Sequence, residues 1–140
     1  MLRIRKGFDF AHPPEIVWSY LTDFEGWGRW WPNSYFRVIE AGDSSGIGLH
    51  RQVTHNNPNL PLPTEYVEEV TGISKTRRLE LRVTRGLALS HHYEIISLEP
   101  IGNGTRLSWR INFESKWPLV GFGLKRVWQE QRRRRTACRR

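Results

Sequence analysis

The stretch Ala11-His12-Pro13-Pro14-Glu15-Ile16-Val17-Trp18-Ser19-Tyr20-Leu21-Thr22-Asp23-Phe24 decides the fold, because here helical spacing interrupts a chain that otherwise alternates. Proline in the first turn with an acid behind it is a helix start. Ile16, Val17, Tyr20, Leu21 and Phe24 follow at helical spacing and predict one buried stripe. Thr22 and Glu25 stand at capping-box spacing, which predicts a second short helix ending within Gly26-Trp27-Gly28 or just beyond. Ahead of this pair, Leu2 to Phe10 alternates as a strand.

Beyond Tyr35 the punctuation is that of a meandering antiparallel sheet. The predicted strands are Tyr35 to Ala41, Gly48 to His55, Thr64 to Thr71, Thr76 to Arg85, Leu87 to Glu99 and Thr105 to Ser115. Turn chemistry separates them: Gly42-Asp43-Ser44-Ser45-Gly46, Asn56-Asn57-Pro58-Asn59, Gly72-Ile73-Ser74-Lys75, Gly86, and Pro100 to Gly104. Leu79, Leu81 and Val83 oppose Arg78, Glu80, Arg82 and Thr84, while Leu107, Trp109, Ile111 and Phe113 oppose Arg106, Ser108, Arg110, Asn112 and Glu114. One sheet face is therefore expected to be wet and the other covered. The cover is expected from Leu119 to about Arg135, where Val120, Leu124, Val127 and Trp128 form an apolar stripe. The predicted order is strand, two short helices, six strands, long helix, an α+β arrangement.

A chain of 140 residues with 38% hydrophobic and 26% charged content fits one domain, here residues 1–140. The lone Cys138 excludes an internal disulfide framework and agrees with a reducing cytoplasm. No apolar run reaches membrane-spanning length, and the start meets Asp9 before a signal-peptide apolar stretch could form, so neither insertion nor secretion is expected. The net charge of +8 is unevenly placed: residues 125–140 hold eight basic groups and one acid, leaving 14 basic and 13 acidic groups elsewhere. Basicity belongs to the C-terminal helix end, where it complements the helix dipole or could touch an anionic surface or RNA weakly.

The element order, residues 11–24, the following Trp30-Trp31-Pro32, Gly46-Ile47-Gly48 opening a strand, and Gly104-Thr105-Arg106-Leu107-Ser108-Trp109 together resemble the START-like SRPBCC superfamily, nearest its polyketide cyclase/dehydrase and lipid-transport group. The resemblance spans nearly the whole chain and is specific for fold rather than function, since that family includes aromatases, cyclases, lipid carriers and hormone receptors. It implies a helix-grip fold: a curved sheet of about seven strands, with two short helices after strand 1, wrapped around a long C-terminal helix over a deep cavity. The run Arg132-Arg133-Arg134-Arg135 departs from the leucines and acids that commonly end that helix. A dry void of about 300 Å³ would cost on the order of 7 kcal/mol, so such a cavity is filled by side chains, water or a guest.

Trp27, Trp30 and Trp31 with Tyr35 form the densest aromatic group, suited either to line a pocket or to pack the core beneath the short helices. His91 and Tyr93 share a parity with Leu87, Leu89 and Ile95, which would place an imidazole and a phenol beside Trp109 as a general acid/base pair; His92 and Glu94 with Ile96 and Leu98 are the rival parity. His50 and Arg51 are further polar candidates. The expected lining adds Leu81 and Ile111 from the sheet and Val120 and Leu124 from the final helix. Gly42-Asp43-Ser44-Ser45-Gly46 spells G-x-S-x-G, but a strand follows where a nucleophile elbow needs a helix, so it reads as a turn. Neighbouring His91 and His92 cannot chelate one metal from a regular strand, and no phosphate loop, EF-hand or zinc spacing occurs, so no cofactor is expected. The leading expectation is a binder of a small apolar or aromatic molecule; the alternatives are a cyclase or dehydratase using the same cavity, and an interaction module using the basic tail.

Overall fold

A computed structural model describes residues 2–86 and 89–115, without the side chains of residues 2, 89–91 and 115. Seven strands form one antiparallel sheet: β1 (Leu2–Phe10), β2 (Ser34–Glu40), β3 (His50–His55), β4 (Thr64–Ser74), β5 (Arg78–Arg85), β6 (Leu89–Ile101) and β7 (Gly104–Ser115). Their spatial order is β1-β7-β6-β5-β4-β3-β2. The first two strands of the chain thus become the two edges, and the segment between them must cross the sheet from one edge to the other. All six expected strands after residue 34 are present, with ends displaced by a few residues.

That crossing segment holds the one α-helix among the described residues, α1 (Pro14–Thr22). Pro14 occupies the first turn, where its missing N–H costs nothing, and the Pro13 carbonyl accepts from Ile16 and Val17. The buried stripe is Val17, Trp18 and Leu21; Ile16 and Tyr20, expected inside, are 44% and 56% exposed. The helix is therefore rotated by about one residue from its expected facing, which brings Trp18 inward.

The second α-helix does not form; a 3-10 helix, Gly26–Arg29, stands in its place. Glycines at 26 and 28 each disfavour a helix by about 1 kcal/mol relative to alanine. Gly28 also lies so close to β2 that a Cβ there would meet the Ser34 carbonyl oxygen at 2.9 Å. The indole of Trp27 caps what precedes it, Nε1 donating to the Leu21 carbonyl over 2.9 Å. The long helix expected over Leu119 to Arg135 lies outside the described residues.

One sheet face is buried. It carries Ile4 from β1, Leu107, Trp109, Ile111 and Phe113 from β7, Ile96 and Leu98 from β6, Leu79 and Leu81 from β5, Val70 from β4 and Val53 from β3. Trp18, Leu21, Trp27 and Trp31 from the crossing segment pack into the same cluster. The hairpin between β6 and β7 turns on Gly102 and Asn103, with positive φ at Gly102 alone, a II′ pattern one residue earlier than an Asn103-Gly104 turn. Asp43 closes its own turn through Oδ1, which accepts from the Ser45 and Ile47 amides at 2.8 and 3.2 Å; G-x-S-x-G is a turn, as its sequence context requires.

Candidate functional site

The buried face is not uniformly apolar. Strand β3 alternates so that Arg51, Val53 and His55 point inward, and β4 does the same with Tyr66, Glu68 and Val70. On β6 the inward set is His92, Glu94, Ile96 and Leu98. With Ser34 from β2, this places seven polar or titratable side chains, each 5% exposed or less, on one face of four strands. Burying such groups costs several kcal/mol each unless partners compensate, so their common location requires an account.

Two interlocked arrangements supply most of the compensation. In the first, Arg51 Nε donates to Glu68 Oε1 over 2.9 Å, Nη2 lies 2.8 Å from the same oxygen, and Nη1 donates to the Phe24 carbonyl. Its guanidinium carbon sits 3.9 Å from the Trp27 ring centre and 4.6 Å from that of Phe36. Arginine suits this position because its planar, weakly hydrated cation can stack and fork together.

In the second, Ser34 Oγ, His55 and Tyr66 form a chain: Oγ to His55 Nδ1 is 2.6 Å and His55 Nε2 to the Tyr66 hydroxyl is 2.7 Å. Its direction follows from donor arithmetic. The Ser34 hydroxyl donates its one proton to the Pro32 carbonyl, which can only accept. Ser34 therefore accepts from His55 Nδ1–H, leaving Nε2 as the acceptor for the Tyr66 O–H. Burial, with a smaller contribution from the Arg51 charge, lowers the His55 pKa to about 3, so the imidazole is neutral as this chain requires. Burial and then the nearby Glu68 and Glu94 carboxylates hold the Tyr66 hydroxyl protonated well above the ordinary phenol range, outweighing Arg51. Tyr66→Phe leaves His55 Nε2 facing a benzene edge, and is expected to cost about 1–3 kcal/mol in chemical denaturation, the penalty for a stranded buried acceptor.

His92 completes the group, its ring centre 6.5 Å from Tyr66 and 5.8 Å from Phe113; burial lowers its pKa to about 4. On the other side the face is closed by tryptophans. Trp27 and Trp31 stack at 6.2 Å and 10°, both meet Trp109 edge-on at 5.6 and 5.2 Å, and Trp31 lies 5.9 Å from His55. Polar handles and aromatic area therefore share one surface.

Of the residues expected to line a site, Trp31, Leu81, Trp109 and Ile111 belong to this face. Trp30 is half-buried; it touches Trp27 and Trp31 and also lines an apolar crevice of about 30 Å³ beside α1, room for little more than one water. Tyr35 is 67% exposed, because β2 turns Ser34 and Phe36 inward and Tyr35 must point the other way. Tyr93 is likewise on the outer face, since β6 follows the rival parity with His92 and Glu94 inside. His50 sits on the outer face, 3.5 and 3.9 Å from the Glu40 and Glu69 carboxylates, whereas its neighbour Arg51 is inside. The side chain of His91, and Val120 and Leu124, lie outside the described residues.

Sequence reasoning missed Ser34, His55, Tyr66 and Glu68. The available signal was parity: on two predicted neighbouring strands, an arginine and a glutamate each fall in line with the apolar positions, which marks a buried pair.

The family described as polyketide cyclase/dehydrase and lipid transport matches residues 1–137. No curated protein matches the chain. Among solved structures, a START superfamily protein from Mycobacterium smegmatis superposes with a TM-score of 0.77 at 15% identity, over 98% of this chain and 96% of that one. A protein of Thermus thermophilus gives 0.74 at 18%, over 96% and 88%. The di-domain ARO/CYC BexL of the BE-7585A biosynthetic pathway gives 0.75 at 11%, over 98% of this chain and 44% of BexL. Identities this low establish the fold that the chain shares with these proteins. They leave the chemistry to its own side chains.

Proposed function

We propose, from the premise that this chain belongs to the polyketide cyclase/dehydrase and lipid transport family, that it binds a small hydrophobic molecule with an aromatic or otherwise flat body and at least one polar group, held against the buried sheet face. The observation that carries this reading is the placement of Arg51, His55, Tyr66, Glu68, His92 and Glu94 beside Trp27, Trp31 and Trp109 on that face. A face that only had to pack would do so at lower cost with aliphatic side chains. Ligand sites, by contrast, combine apolar walls with a few fixed polar groups. Because the Tyr66 hydroxyl donates to His55, its remaining lone pair favours a hydroxyl or N–H donor on the guest. The lone Cys138 fits a protein working in the reducing cytoplasm. Among the described residues, no helix is long and apolar enough to cross a membrane.

A second reading, a cyclase or dehydratase, is favoured by His92 and Glu94, two inward titratable groups two residues apart on β6. A neutral imidazole can take a proton from an activated carbon or hydroxyl, and a neighbouring carboxyl group can return one, worth about 10² to 10⁴ in rate. Because Tyr93 lies on the outer face, His92 and Glu94 are the pair to test first, with the His91 side chain outside the described residues.

Native mass spectrometry of the full chain purified from its own source tests the binding reading. A discrete added mass that is lost on denaturation is expected. Binding that persists unchanged in Tyr66→Phe and His92→Gln would place the guest elsewhere.

A further inference from the structure

The outer face of the sheet holds a second feature, unrelated to the interior. Residues outside the C-terminal run have nearly balanced charge, but the fold sorts that charge unevenly. Arg5 on β1 stands directly opposite Arg110 on β7, and Arg110 stands opposite Ile95 on β6. The next row outward is Gly7, Ser108 and Ser97, ending at Arg78 on β5. Small residues in one row and long cations around them make a groove of about 520 Å³, lined by Arg5, Lys6, Arg78, Arg110, Ser97 and Ser108.

The cations are not neutralised by the protein in proportion. Arg78 is paired to Glu80 at 2.7 Å, and farther along the sheet Arg106 is paired to Asp9 at 3.0 Å. Arg5, Lys6 and Arg110 have no ion-pair partner among the described residues, and Arg110 Nε is buried without a hydrogen-bond acceptor. Like charges directly opposite each other on antiparallel strands are destabilising, and a buried guanidinium N–H without an acceptor adds to that cost. An arrangement that is unfavourable when empty becomes favourable when an anion enters it.

We propose that this groove is a binding site for a phosphate monoester, held by the Arg5 and Arg110 guanidinium groups with the Ser108 hydroxyl; Lys6, opposite the buried Trp109, turns its side chain to the other face. A phosphate carries close to two negative charges and three acceptor oxygens, enough to engage two guanidinium forks and a hydroxyl together. Trp109 also borders the groove, but its ring is buried against Trp27 and Trp31 on the other face, so the groove lacks the stacking platform a single-stranded nucleic acid would use. The phosphate can belong to a soluble metabolite or to a lipid headgroup.

Full-length protein is titrated with glycerol 3-phosphate by calorimetry, and mixed in flotation assays with phosphatidylcholine vesicles containing or lacking phosphatidic acid. Binding in at least one arm is expected, with at least a tenfold loss in Arg5→Gln and in Arg110→Gln and less than a twofold change in Arg37→Gln, an outer arginine on β2. Binding only to the phosphatidic acid vesicles assigns the lipid source; binding of glycerol 3-phosphate assigns the soluble one. Without ligand, Arg110→Gln is expected to melt no lower than the parent, which separates lost binding from lost fold. Failure of both probes, or binding that survives both substitutions and disappears only when Arg132 to Arg135 are changed to glutamine, overturns the proposal.

Discussion

Arg51→Met is expected to destabilise the protein by about 3–5 kcal/mol, the cost of leaving one member of a buried ion pair without its partner. Arg51 and Glu68 are 1% and 2% exposed, so water cannot replace the missing cation. The substitution also strands the Phe24 carbonyl and uncovers the faces of Trp27 and Phe36. Arg51→Met combined with Glu68→Leu removes both charges, and is expected to regain most of the loss, because a hydrophobic pair of similar volume is often as stable as a buried salt bridge. Urea unfolding of the parent, both single variants and the double variant measures the coupling. A double variant no more stable than Arg51→Met would show that the arginine matters through its aromatic and carbonyl contacts instead. If the double variant folds but no longer retains its guest, the pair serves binding rather than stability.

Acid is the second large lever. In the folded protein the pKa values of His55 and His92 are lowered to about 3 and about 4, while in the unfolded chain both take up protons near 6.5. Between those values the unfolded state binds more protons, so stability falls as pH falls, by about 1.4 kcal/mol per pH unit for each histidine. The loss begins near pH 6.5 and reaches about 2 kcal/mol per histidine at pH 5, or about 4 kcal/mol for the two. That is a large share of the stability of an ordinary domain. His92→Gln is expected to halve the slope between pH 6.5 and 5, read from denaturation midpoints across the range. An unchanged slope would place protonation of His92 outside this window.

Much of this fold was legible because antiparallel sheets write their burial into the chain. The alternation of residues 78–84 and 105–114 gave both strand position and facing, and Gly42 to Gly46, Asn56 to Asn59 and Gly86 fall in connections. Gly72 to Ser74, expected as a turn, instead continue β4, and the chain reverses at residues 75–77, with Thr76 at positive φ. What misled was local. Helical spacing at residues 16–24 is satisfied by two stripes one residue apart, and only the docking of Trp18 against the sheet decides between them. Capping-box spacing at Thr22 and Glu25 was overruled by glycines at 26 and 28 and by the approach of Gly28 to Ser34.

The site was less legible for a physical reason. Inward polar residues break the apolar period by which inward facing is recognised, so β6 was read from Leu87 and Leu89 rather than from Ile96 and Leu98. Arg51 was a polar candidate without a partner, and Glu68 looked like surface charge until their strands were placed side by side. The aromatic half of the site, Trp31 and Trp109, was visible because size alone drives such residues inside. Tyr35 was not, because a phenol tolerates either face.

The most direct test of the central claim, that the polar and aromatic groups of the buried face form a binding site, follows the side-chain imidazole resonances of the ¹⁵N-labelled protein. The probes are a dihydroxyanthraquinone, a hydroxysteroid and a fatty acid. The account predicts that before addition His55 shows its neutral Nδ1–H form, and that at least one probe shifts His55 and His92 saturably, with one equivalent bound, while His12 and His50 stay in place. Shifts confined to His12 and His50, or buried imidazoles that no probe moves, would contradict it.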